Sequence, residues 1–252
     1  MKDKLNYNLK GLVPVLLLVV IWESAASLNF IFQNNFLPSI KEIIIEFYHL
    51  ITNGVLLTNF YSSLLRVLAG FFLGTFFGLV VGILMGWKEN VDQFLGGIIS
   101  LTYPIPALGW LPLFIIIFGV NNLVPILIIF ICCFFPMAYN TSAGIKRVDN
   151  NLINAARTLG ASEIKILFTI IIPLALPNIF TGLKLESGMA WRVVIAAEMV
   201  AIPTGIGALM MKAENLVRVD VIIVCLLLLS VMCFLFEKTI VFLESKFTDQ
   251  WR

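Results

Sequence analysis

An all-α integral membrane fold with six transmembrane helices is predicted by three observations: composition, hydropathy pattern and the placement of basic residues. Sixty percent of the chain is hydrophobic and only 13% charged, with a mean hydropathy of +1.00. No soluble core needs that much apolar surface, so an ordinary soluble domain is excluded. A membrane helix needs roughly 20 predominantly apolar residues, and such runs fall near 11–32, 64–87, 104–120, 123–144, 177–201 and 221–243. With the N-terminus inside, eleven Lys and Arg residues lie in inner segments and only Lys41, Lys212 and Arg218 in outer ones. That asymmetry satisfies the positive-inside rule with both termini cytoplasmic. Residues 1–252 carry no linker or low-complexity tract and read as one integral domain.

The first apolar segment is too long for a signal-peptide core and has no small-residue cleavage site after it, so it reads as a retained span. Leu37 to Asn53 then reads as an interfacial helix opened by Pro38 and Ser39, with Ile43, Ile44, Phe47 and Leu50 on one side. The lone histidine, His49, lies there without ligand partners at metal-binding spacing and reads as an interfacial residue. In the second span Gly70, Gly74, Gly78, Gly82 and Gly86 recur every fourth position, which makes a shallow groove for another helix. Arg66 is expected to snorkel from the outer end of that span to the interface. Pro104, Pro106 and Pro112 forbid a regular helix start and suggest a short or broken segment. Such a segment either lines buried or aqueous space, where its free carbonyls find partners, or is a passive kink.

Lys146 to Pro173 puts a polar, helix-forming stretch in the middle of this apolar chain. Asp149 is expected to cap a short helix from Asn150 to Leu159, and Gly160 to end it in the left-handed conformation. Ser162 can cap the next helix, with Glu163 in its first turn and Pro173 interrupting it. Ala155 and Ala156 leave a low surface that another protein could approach closely, although an ordinary amphipathic hairpin has the same spacing. This is docking rather than catalytic geometry.

The fifth span carries Lys184, Glu186, Arg192 and Glu198, more ionisable residues than a lipid-facing helix should hold. Lys184 and Glu198 share a face about 21 Å apart along the axis, and Glu186 points to the other side. Lys184 can snorkel, whereas Arg192 and Glu198 need a bundle interior or a cavity. They either line or gate a translocation pathway or make interhelical hydrogen bonds. Cys132, Cys133, Cys225 and Cys233 fall inside apolar runs, without metal-ligand spacing or disulfide framing, and read as small core residues. No nucleophile–base pair and no G-x4-G-K-[ST] phosphate loop occurs, so any ATP chemistry must come from another chain.

Ala155-Ala156, Gly160, Ile170, Ile172 and Pro173 give the spacing A-A-x3-G-x9-I-x-I-P. With Leu37-Pro38-Ser39, Ser63 to Phe71, Pro104-Ile105-Pro106, Ala197-Glu198-Met199 and Gly205-Ile206-Gly207, this resembles the permease subunits of binding-protein-dependent ABC importers. The resembling branch is that of nitrate, sulfonate, taurine and bicarbonate, and thiamine-precursor importers use similar permeases. The resemblance implies a type I importer permease fold with a cytoplasmic coupling helix, in the inner membrane of a prokaryote and in contact with lipid. It implies a second permease copy in a homodimer, two cytoplasmic ABC ATPase subunits and an external solute-binding protein, with no nucleic acid. ATP and Mg would be used by the ATPase, and no cofactor by this chain. Contact with the ATPase falls on Asn154, Ala155, Ala156, Arg157, Leu159, Gly160 and Ala161, and the pathway on Lys184, Trp191, Arg192, Glu198 and Met199. Two departures stand out: the family's usual glutamate is Asn154 here, and Glu186 stands where relatives usually carry a small or apolar residue. The rival readings are an ion-coupled secondary transporter working through Arg192 and Glu198, and a membrane scaffold without transport.

Overall fold

The computed structural model describes residues 2–27 and 37–248, and the described residues fold into helices without strands. The end of the expected first span, 28–32, and Arg252 of the inner basic set lie outside them. Helix α1 (Lys2–Ser27) is followed by α2 (Ile40–Thr52) and α3 (Val55–Trp87). Next come α4 (Glu89–Thr102), a 3-10 turn (Ala107–Trp110), α5 (Leu111–Phe118) and α6 (Leu123–Lys146). Helices α7 (Asn150–Thr158) and α8 (Glu163–Ile166), a π turn (Leu167–Ile171), α9 (Ile172–Ala201), α10 (Ile206–Asn215) and α11 (Val219–Thr248) complete the order.

Among the described residues, four helical stretches are long and apolar enough to cross a membrane: Val55–Trp87, Leu123–Lys146, Glu163–Ala201 and Val219–Lys246. A fifth crossing is formed if α4 and the short helix after it count together, bent by 88° at the Tyr103–Pro106 break. The expected span over 104–120 is therefore a broken segment, as its prolines suggest. Proline nitrogens cannot donate, so the chain turns through Pro104 and Pro106 and resumes as a 3-10 turn and the eight residues of α5.

Pro173 does not interrupt the helix that follows the polar loop, contrary to the sequence expectation. The backbone widens into the π turn just before it, and Pro173 sits in the first turn of α9, where its missing N–H is tolerated. Pro177 lies inside the same 30-residue helix, which runs on to Ala201.

The tightest contact is α3 on α6. A methyl at Gly70 would meet Ile129 Cβ at 2.6 Å, and one at Gly74 or Gly78 would meet the Phe130 or Phe134 carbonyl oxygen at 2.6 Å. At Gly82 and Gly86 it would meet Thr141 Cβ and Ile145 Cβ at the same distance. The glycine stripe is therefore the groove that lets α6 lie against the α3 backbone, where dispersion rather than hydrophobic expulsion holds helices in lipid. The main core joins α3, α9, α10 and α11 through Val67, Phe71, Trp191, Val194, Ile206 and Cys225, with Ile43 and Leu50 of α2 at its margin.

In α2 the Ser39 hydroxyl accepts from Glu42 N at 3.3 Å while Glu42 accepts from Ser39 N at 2.8 Å, a reciprocal capping box. Ile43 and Leu50 turn inward, but Ile44 and Phe47 are exposed, so the apolar side expected for this helix is split between protein and surroundings. The Arg218–Glu46 ion pair, 2.7 Å, ties α2 to the start of α11.

Candidate translocation cavity and coupling loop

A cavity of about 380 Å³ opens where the α4–α5 break meets α6 and α9. Tyr103 to Leu108 form one wall. Cys132, Pro136 and Asn140 of α6 are four residues apart and line the second, and Glu186, Met189 and Val193 of α9 line the third at near-helical spacing. The broken segment thus borders open space rather than packed helix. Glu186 is 1% exposed, and neither carboxylate oxygen has a hydrogen-bond partner.

None of Lys184, Trp191, Arg192, Glu198 and Met199 lines this cavity. Lys184 pairs with Glu244 of α11 at 2.5 Å. Trp191 is buried in the main core edge-on to Phe236, and Met199 packs against the same core. Arg192 is exposed. It lies six positions from both Glu186 and Glu198, about 240° around the helix, so it shares a face with neither.

Glu198 is wholly buried in a polar cluster that the sequence does not announce. Arg66 Nη1 donates to Glu198 Oε1 at 2.6 Å, and the Ser63 hydroxyl contacts both carboxylate oxygens at 2.8 and 2.7 Å. Gly207 N donates to Oε2 at 3.1 Å. Arg66 also donates to Asn122 Oδ1, at 2.7 Å from Nη2, and to the Thr204 carbonyl, at 3.0 Å from Nη1. Asn59 Oδ1 accepts from Gly205 N, and Ser63 Oγ from Ile206 N. Arg66 is therefore 5% exposed and paired, rather than snorkelled from the outer end of a span, because α3 begins at Val55 and carries Arg66 about three turns inside it. Any side chain at Gly205, with φ +111°, or at Gly207 would collide with the Glu198 side chain. The cluster fastens the α9–α10 turn to α3 and α6, as interhelical hydrogen bonding of Glu198 would.

At the other end of the bundle, Asp149 accepts from Asn151 N at 2.8 Å and caps α7. Gly160, φ +82°, closes the helix: Ala161 N donates to Ala156 O at 3.0 Å and Gly160 N to Arg157 O at 2.9 Å, the paired bonds of a Schellman motif. Ser162 Oγ accepts from Lys165 N at 3.4 Å. Across the turn Arg157 grips Glu163 with two bonds, 2.7 and 3.1 Å, and this contact keeps the guanidinium pKa above its ordinary value. Ala156 and Ala161 pack on a second core of Ile145, Val148, Ile166 and Leu167. Asn154, Ala155, Arg157 and Leu159 are exposed, with Leu159 at 87%. The alanine pair is thus divided, one side chain facing the bundle and one facing out. The hairpin thus presents an exposed leucine at a tip held by the Schellman turn and the Arg157–Glu163 pair.

Among the described residues, no group of three His, Cys, Asp or Glu could hold a metal ion. Cys133 and Cys225 are buried, Cys132 and Cys233 are half-buried, and all four are free thiols.

Residues 74–248 match the family described as "Binding-protein-dependent transport system inner membrane component". The chain is 38% identical to a protein of Methanocaldococcus jannaschii named as an ABC transporter permease, over 92% of this chain and 88% of that one. It is 33% identical to the taurine transport system permease protein TauC of Escherichia coli, over 92% and 86%. In fold it is similar to a chain of the MetNI methionine ABC transporter in an inward-facing conformation, with a TM-score of 0.57 at 17% identity over 73% of this chain and 94% of that one. The chain belongs to the inner-membrane permease components of binding-protein-dependent ABC importers, whose ATPase is a separate subunit.

Proposed function

We propose that this permease works as a homodimer of six-span subunits with both termini in the cytoplasm. Two ATPase subunits dock on its α7 hairpin, and an external binding protein delivers a small solute of sulfonate, nitrate, taurine or thiamine-precursor type. The observation that carries this reading is the hairpin itself: a helix closed by a Schellman turn, braced by Arg157–Glu163 and presenting Leu152, Ala155 and Leu159 at the end of an apolar bundle. Exposed leucines on a rigid, polar-rimmed tip suit a partner's groove. Asn154 holds Arg157 weakly, at 3.4 Å, so it helps to brace the hairpin without the charge usual in relatives. The cavity between the α4–α5 break, α6 and α9 is the portion of the pathway that this subunit contributes.

Leu159→Asp tests the docking surface. The variant is expected to keep the permease monodisperse in detergent while losing most co-purification of the ATPase and more than tenfold of ATP-driven uptake, because a buried, unpaired charge costs a few kcal/mol. Normal co-purification and uptake would remove the hairpin from the interface.

A further inference from the structure

We propose that Glu186 is the recognition group of a subsite for a solute carrying a protonated nitrogen. The proposal rests on the permease reading and narrows its cargo. The cavity wall holds one ionisable carboxyl group and no Lys, Arg or His. Its other hydrogen-bonding side chains are Tyr103 and Asn140. The Asn140 amide nitrogen spends one N–H on the Pro136 carbonyl at 2.9 Å, so its amide oxygen and second N–H remain for a ligand. The wall therefore offers acceptors on Glu186, Asn140 and Tyr103 but no cationic donor, beside an apolar lining of Ile105, Pro106, Phe135 and Val193. An anion entering it meets no cationic side chain, whereas an ammonium or protonated heterocycle meets acceptors for its N–H groups and apolar surface for its carbon frame.

Glu186 also needs such a partner. Both its oxygens are covered at the cavity wall and lack a hydrogen bond, and the Thr75 hydroxyl of α3, its polar neighbour, is likewise buried without one. An unpaired carboxylate at this depth is expensive, and ionisable side chains inside membranes mark solute or ion paths. The three side-chain torsions of glutamate let the carboxylate turn from the wall into the cavity when a cationic donor arrives. The Arg66 and Lys184 cations are committed to Glu198 and Glu244, so neither serves Glu186.

The test uses the full-length chain in nanodiscs of phosphatidylcholine, whose headgroup has no N–H donor, with empty discs as the blank. At neutral pH the discs are dialysed to equilibrium against benzylammonium and against benzyl alcohol, a neutral probe of similar shape. Benzylammonium is expected to bind at least about tenfold more tightly. Glu186→Gln should erase the preference and Glu186→Asp should keep most of it, while benzenesulfonate should fail to compete in the unmodified protein. Equal binding of the two probes, no binding of either, competition by benzenesulfonate, or a preference that survives Glu186→Gln would each overturn the proposal. ATP-driven uptake by the complete complex is measured separately, so a failed dialysis leaves the permease reading standing and a failed uptake assay does not touch the subsite.

Discussion

Arg66 and Glu198 show how much one pair of side chains can decide in a membrane bundle. The two stand 132 residues apart, and their 2.6 Å contact is surrounded by Ser63, Asn122, Thr204 and the Gly207 amide. Removing one partner strands the other charge. Arg66→Met is therefore expected to cost about 3–5 kcal/mol, whereas Arg66→Met with Glu198→Met should recover most of that loss. Thermal unfolding of the purified permease in one detergent checks both, and a double variant no better than the single one would mean that the cluster holds the turn by more than charge pairing. The sequence makes the ionisable residues of this helix conspicuous but not their partners. Pairing across 132 positions depends on which faces of α3 and α9 meet, and helices that are apolar all round give no stripe to show it. For the same reason Glu186 looks like a residue apart in the sequence, and only the α6 and α4–α5 walls reveal the cavity beside it.

At the scale of elements, local chemistry is far more legible. Asp149, Gly160 and Ser162 are readable as cap, stop and cap because each works within four residues of itself, and each does so in the structure. The Arg157–Glu163 brace is also in reach of the sequence, since the two flank the turn six residues apart, but their juxtaposition depends on the angle at which that turn sets α8. Gly160 has open space around it, so Gly160→Val strains only the left-handed backbone, by about 1–2 kcal/mol. That variant is expected to retain ATPase docking but to uncouple hydrolysis from uptake, and the ratio of solute imported to ATP consumed is the measurement. Gly78 is the opposite case: its φ is ordinary and its space is filled by the Phe134 carbonyl and Met137 Cβ. Gly78→Leu should force α3 off α6 and sharply lower the yield of folded permease, as measured by size-exclusion chromatography in detergent. The glycine spacing announces such a groove, but it cannot say that α6 fills it. The π turn before Pro173 left no readable signal, because a helix can meet a proline by ending, kinking or widening, and packing chooses among them.

For the whole molecule, composition and hydropathy establish the membrane class because they sum over every residue and do not depend on which face goes where. They resolve α3, α6, α9 and α11 as long apolar helices, and they blur at 104–120, where three prolines divide an apolar run into a turn and a short helix. The resulting bundle has polar fastening at the Arg66–Glu198 end, a cavity at the α4–α5 break and a rigid hairpin at the far end. In the proposed transport cycle, force applied at α7 reaches the cavity wall along α9, which runs from the π turn past Glu186 to Glu198. The central claim is that uptake through this chain is driven by ATP hydrolysed in a partner subunit at the α7 face. Proteoliposomes holding the permease, its ATPase and its binding protein test it most directly, with ATP supplied on the α7 side and solute on the other. Uptake should require that ATP and persist when an ionophore collapses the proton gradient; uptake that falls with the gradient while ATP is held constant would contradict the account.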